Sequence, residues 1–291
     1  MERLSIEGIQ EFWQHPDAAH DRSLMSYRPA MLVECSINFR SLRAGLNHSE
    51  ERTYSAWLPE SDLAIDWDRP AVDSATLSQL ATRPDPGIPH HNGNYQTTRE
   101  GCAQYEAELI ARLVRNERLR VFFTPVFGLF SVPGETREDF LPRIAEAALS
   151  RVEPELKRLR NRFELQLEQV REAQGLKGSR LEEISLESFI AHKLHLFESE
   201  HRLADMFSTL AGAVFGTTEP RPLSEVVKWE DAELREDLDR IEQEASEALR
   251  ALYEEYLALA NEYDIFEIGL QPQNIQVARR LLLWVPVANT Q

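Results

Sequence analysis

Cysteine is almost absent: the 291 residues hold two, Cys35 and Cys102. Thiols so far apart, each in an apolar neighbourhood, are expected to be reduced core residues of a cytoplasmic protein rather than a disulfide. An excess of positive charge is lacking too. The chain carries 49 acidic and 32 basic residues and a net charge of −17. A general electrostatic grip on nucleic acid or on an anionic membrane needs clustered Lys and Arg, so that class is disfavoured and only a local basic patch stays open.

Long hydrophobic runs are missing. The apolar stretch "DMFSTLAGAVFG" (205–216) offers Met206 to Phe215, interrupted by Ser208, Thr209 and Gly212. That is half of the roughly 20 apolar residues a membrane-spanning helix requires. The start, "MERLSIEGIQEFWQ", has no basic region followed by an apolar stretch, so no signal peptide is expected. A phosphate-cradling G-x-x-x-x-G-K-[ST] loop is absent as well. The nearest glycine-rich piece, "GLKGSR", has neither the spacing nor a lysine before a hydroxyl, which excludes ATP binding through a P-loop.

What is present reads as α+β. "SIEGIQEFW" suggests a short helix or capping segment, while "AMLVECSINF" and "RTYSAWL" are rich in the β-branched and aromatic residues of strands. "TRPDPGIPHHNGNYQTT" is a loop. "REGCAQYEAELIARLVRNE" places Cys102, Tyr105, Leu109, Arg112 and Leu113 at helical spacing, and "RLRVFFTPVFGLFSV" reads as a strand broken at Pro125. Thr136 followed by Asp139 starts a helix in the manner of a capping box. Pro154 is expected to end or kink it.

Beyond Pro154, Leu156, Leu159, Phe163, Leu167 and Val170 come close to a heptad seam. A further helix lines up Phe189, His192, Leu196, Leu203, Met206 and Leu210. The last, from about Ser224, carries Leu234, Leu238, Ile241, Ala245, Ala248 and Leu252 in alternating steps of four and three. "DIFEIGLQPQ" and "NIQVARRLLLWVPV" read as two strands, paired with each other or with the N-terminal sheet. The expected plan is a mixed β-rich body from both chain ends (1–135 and 264–291) and an inserted long antiparallel, coiled-coil-like helical arm (136–263). "STLAGAVFG" becomes a joint near 205–222, where Gly212 permits close approach and Gly216 takes the left-handed turn that ends a helix.

No complete catalytic constellation emerges, and neither cofactor nor metal is expected. His192, His195 and His201 share a helix with Glu198 but lack the H-E-x-x-H spacing; His90 and His91 lie in a loop beside Asn92. Asp62, Asp66 and Asp68 are clustered carboxylates of the kind that hold magnesium, without a nearby lysine or histidine. Two sets remain for contacting phosphate or for pairing with the acidic last helix: Lys157, Arg158, Arg160 and Arg162, and then Arg115, Arg118 and Arg120. That last helix has 13 acids against 4 bases between residues 225 and 262, which reads as a solvated face or a docking surface for a basic partner.

The order "YRPAMLVECSINF", "SVPGETREDFLPR", a long charged helix, "STLAGAVFG", an acidic helix and "LLLWVPV" resembles the C-terminal, non-motor region of bacterial HerA/FtsK-type ATPases. The matching positions are Tyr27 and Pro29; Ser131, Gly134, Glu135, Phe140 and Arg143; and Trp284 with Pro286. The chain departs from that family in carrying no P-loop, and in following the small-residue run with "GTTEPR" instead of basic residues. The resemblance implies a non-enzymatic scaffold or coupling subunit in DNA processing, partnered by a HerA-like motor or self-associating through its helices. A metal-dependent nuclease or hydrolase on the aspartates and a free-standing coiled-coil adaptor are the alternatives.

Overall fold

Apolar and β-branched runs at both ends of the chain meet in one mixed sheet. The computed structural model describes residues 8–16, 22–60, 64–73, 80–91, 93–95, 98–173, 202–216 and 232–289, the backbone alone at 232–235. Strands β1 (Gln10–Gln14), β2 (Met25–Ser41), β3 (Leu46–Trp57), β4 (Leu80–Ala81) and β8 (Ile275–Ala288) lie in the order β3-β2-β8-β1-β4. β1 is parallel to β8; the other pairs are antiparallel. Along β2, Val33, Cys35, Ile37 and Phe39 are buried while the residues between them are half-buried, the period of two that a pleated strand imposes. Cys35 and Cys102 are both free and buried.

The segment "QEFWQ" is a strand here, not part of a helix. Gln10 to Trp13 pair with Leu281 to Trp284. A five-residue segment carries no usable periodicity of its own, and its partner lies at the far end of the sequence.

Helix α1 (Arg99–Asn116) starts at Thr98, whose side chain accepts from the Gly101 amide, and buries Cys102, Tyr105, Leu109 and Leu113. Its Arg112 points outward to Asp68 instead. β5 (Arg118–Thr124) ends at Pro125, where a turn closed by the Gly128 amide on the Thr124 carbonyl leads to β6 (Leu129–Phe130). A three-stranded sheet has the order β6-β5-β7, with β7 at Asp264–Gly269. The two C-terminal strands therefore do not pair with each other.

The chain divides into two units, residues 1–120 with 267–291, and residues 121–266. Among the described residues of the second unit, three helices bury one core: α2 (Arg137–Ala173), α3 (Arg202–Phe215) and α4 (Ala232–Asn261). The Thr136 hydroxyl accepts from the Asp139 amide, as an N-cap does, and donates to the Asp139 carboxylate, which in a full capping box would instead take the Thr136 amide. The helix then runs through Pro142 and Pro154. A mid-helix proline costs about 3 kcal/mol. Around Pro154 the helix buries Val152, Leu156 and Leu159, each contributing about 1.5–3 kcal/mol, so packing outweighs the break.

The helical core departs from a heptad. In α2 the buried positions are 145, 148, 152, 156, 159, 163 and 167, with 170 partly covered; in α4 they are 238, 241, 245, 249, 256 and 260, with 252 among several partly covered residues. Both follow steps of three, four and four, an 11-residue repeat close to the pitch of a straight helix. Leu249 therefore replaces Ala248 as the buried residue. In α3 the buried set is Ala204, Phe207, Ala211, Val214 and Phe215, with Leu203, Met206 and Leu210 only partly covered. Arg162 and Gln166 reach Glu244, while Leu159 and Glu155 share a groove with Leu252 and Glu255. Rising numbers on α2 thus meet falling numbers on α4, and the two run antiparallel.

Candidate functional site

The motif residues singled out in the sequence hold backbone together. Tyr27 stands directly across from Pro286, and Pro29 from Trp284, where β2 pairs β8. On its other side the Tyr27 backbone exchanges 2.8 Å hydrogen bonds with the Pro89 carbonyl and the His91 amide, so the loop completes the sheet there. Ser131 both accepts from the Phe122 amide through Oγ and donates its own amide to the Phe122 carbonyl. Glu135 accepts from the Val132 amide at 2.8 Å and from Arg143 at 3.1 Å. Arg143 also donates to the Phe130 carbonyl, while Phe140 stacks on Phe122. Gly134 has φ +78, a turn conformation that glycine alone adopts freely. These side chains fix the turn that leads into α2.

The basic set on α2 does not pair with the acidic last helix as a group. Lys157 binds Glu153, Arg158 binds Glu155 and Arg160 binds Glu164, all within α2 at i,i+3 or i,i+4 spacing. Among the described residues, Arg162 alone of the four pairs with α4, at Glu244, 3.3 Å away. Local pairs win because the partners sit one turn away on the same face, and no second helix need be placed. Of the other set, Arg118 donates to the Val114 and Glu117 carbonyls, and Arg120 pairs with Glu267.

Lys157 and Arg160 nevertheless come together with the joint residues. They line a cleft of about 500 Å³ with Leu210, Ala213 and Val214 of α3, the last two lying between Gly212 and Gly216 in sequence. Arg160 donates to the Val214 carbonyl at 2.8 Å, and the Gly216 amide bonds to the Gly212 carbonyl. Gly216 has φ +96. Spacing alone would not have joined a basic run to a small-residue run 50 positions later.

The aspartates do not form a metal centre among the described residues. Asp66 accepts from the Asp68 amide in a tight turn, and Asp68 is taken by Arg112; Asp62 lies outside the described residues, as do His192, His195, Glu198 and His201. No group of three metal-binding side chains occurs among the described residues.

Two clusters went unread in the sequence. On alternate positions of β3, Arg52 bonds Glu50 and also Glu117, and Glu50 meets His48. Burial raises the Glu50 carboxyl, but Arg52 and His48 override it and hold its pKa below the usual range. In the loop, His91 Nδ1 is 2.8 Å from the Tyr95 hydroxyl, which donates to Glu60 at 3.2 Å. Nδ1 then carries the proton in its bond to Tyr95. Burial and Glu60 push the Tyr95 phenol up to about 12, so it stays protonated near neutrality and ties the loop down. Burial also pushes the Cys35 thiol up to about 11, which removes it as a nucleophile near neutrality.

No family model, no curated protein and no solved structure matches this chain. Among the described residues no helix is long and apolar enough to cross a membrane.

Proposed function

We propose that this chain is a non-enzymatic scaffold or coupling subunit that works beside a P-loop motor of HerA/FtsK type carried by another chain. The observation that carries the scaffold half is the helical core. Helices of 37 and 30 residues run antiparallel over an 11-residue repeat, with Arg158, Arg160, Arg162 and Arg240 bound to nearby carboxylates. Such a structure transmits position along its length. In this reading residues 136–263 form an arm on the β-rich part. The motor half rests on the sequence resemblance, whose matching residues all serve as structural ties. DNA processing is the setting that resemblance implies.

The experiment is affinity capture of the tagged full chain from its native cell, with the captured proteins identified by mass spectrometry. A P-loop ATPase retained at stoichiometric level supports the reading. Capture of no ATPase, under conditions where the chain is folded by circular dichroism, overturns the motor half.

A further inference from the structure

We propose that the flank of the α2/α4 pair opposite α3 is a self-association surface, where a second copy of this chain docks. The inference extends the scaffold reading but stands on different observations. α3 covers one side of the pair: Phe207 packs on Tyr253 and Tyr256, and Arg160 reaches Val214. On the other side the helices leave a groove of about 340 Å³. Its floor is Leu159 and Leu252, with Ala248 and Ala251 as its α4 wall. Leu165, one turn beyond Arg162 on the same face, is 59% exposed. Alanines at a helix contact allow a neighbouring helix to approach within about 8–10 Å.

The charges select the occupant. On the α2 rim, helical spacing aligns Arg151, Arg158 and Arg162, with Glu155 bound to Arg158. On the α4 rim stand Glu244 and Glu255. The surface is thus basic along one helix and acidic along its antiparallel neighbour. A two-fold axis parallel to the helices lays α2 of one copy over α4 of the other and leaves every residue at its own height. Within the chain Arg162 already reaches Glu244 at 3.3 Å, and Arg158 and Glu255 line the same groove. Because the axis keeps heights, the same pairs come within side-chain reach between copies, and the contact is isologous and closes as a dimer. A basic helix of another protein would fit the acidic rim but meet the arginines with like charge. An acidic helix has the converse problem.

The test is sedimentation equilibrium of the full chain at about 1–100 µM, with circular dichroism on each variant. The wild type is expected to be a dimer. Ala251→Arg places a long cation in an exposed groove wall without touching the core. It is expected to weaken association at least ten-fold while the spectrum is unchanged. Arg158→Glu is expected to do the same, and Arg158→Glu with Glu255→Arg to restore the dimer. A wild type that stays monomeric throughout the range overturns the proposal. So does a dimer unaffected by Ala251→Arg, which would place the interface elsewhere. A monomeric wild type that loses a captured motor on Ala251→Arg would give the groove to that partner and also overturn it. A dimer that captures no motor keeps this proposal and sinks the motor half of the functional one.

Discussion

Arg160 on α2 donates through Nη1 to the carbonyl of Val214 at 2.8 Å, closing the C-terminal turn of α3. The last carbonyls of a helix have no partner within it and carry partial negative charge, so a guanidinium there satisfies an acceptor and opposes the dipole. Arg160 also holds Glu164, which keeps the side chain extended toward α3.

Arg160→Ala is accordingly expected to cost about 1 kcal/mol. Lys157→Ala and Arg158→Ala break exposed pairs within α2 and are expected to stay within about 0.5 kcal/mol. Urea unfolding of the three variants separates them, and equal effects would show that the contact to Val214 contributes nothing.

A second expectation distinguishes the two readings of the helical core. Leu249 is 1% exposed, whereas Leu252 is only partly covered. Leu249→Ala is expected to lose about 2–5 kcal/mol, with Leu252→Ala clearly less damaging. A heptad demands the reverse order, because it places Leu252 on the seam and Leu249 off it. Chemical denaturation of both variants gives the ranking directly.

Why the sequence misplaces that seam is instructive. Over the stretch from Leu238 to Ala245 heptad and 11-residue repeats coincide, and they part only at Ala248 and Leu249. The heptad is the more familiar pattern, but a straight helix turns once in 3.6 residues and lets the stripe drift by one position. Local signals were otherwise legible: the Thr136 cap, the break at Pro125 and the buried face of α1 all depend on neighbours within a few residues. The failures share a different origin. Strand β1 is made by Leu281 to Trp284, and the helix through Pro154 is held by residues from two other helices. For the site, Lys157, Arg160, Gly212 and Gly216 were named from composition, but only the fold brings their segments together. The loop trio of Glu60, His91 and Tyr95 left no periodic trace at all.

The purified chain is expected neither to bind nor to turn over ATP, since no stretch in it has the glycine and lysine spacing that wraps phosphates. Isothermal titration and a phosphate-release assay check this. Turnover that survives a further purification step would contradict it.

Tyr256 provides a pH-dependent expectation. Its side chain is fully buried, and its hydroxyl has no hydrogen-bond partner among the described residues. Burial, with Tyr253 nearby as a lesser cause, pushes the phenol up to about 12. An unfolded tyrosine ionises near 10. Below about 10 both states hold the proton and the contribution is whole; between about 10 and 12 only the unfolded chain releases it, so stability falls as pH rises. Tyr256→Phe is expected to leave stability unchanged or slightly raised at pH 7, since it removes an unsatisfied hydroxyl. It should also flatten the alkaline decline. Thermal melts from pH 7 to 11 test both parts, and an unaltered alkaline slope would mean that Tyr256 is not the group responsible.

The end of α3 decides whether the small-residue run is a joint or a docking tip. Gly216 has φ +96, and its amide bonds the Gly212 carbonyl at 2.8 Å. That conformation costs an L-residue about 1–2 kcal/mol, and it is worst for β-branched side chains. Gly216→Ala is therefore expected to lower the melting temperature, and Gly216→Val to lower it further. Gly212 is half-buried inside the helix and has no need of positive φ. Gly212→Ala is expected to be neutral or stabilising there, because alanine restricts the unfolded chain and favours helix. Gly212→Leu adds volume beside a packed face, and overpacking costs about 1–3 kcal/mol. An exposed docking tip would behave otherwise: Gly216→Val and Gly212→Leu would melt like the wild type and lose a captured partner. Melting and affinity capture on the same preparations discriminate the two. The left-handed turn and the Arg160 cap both act on the last turn of α3, so the melt is expected to move first.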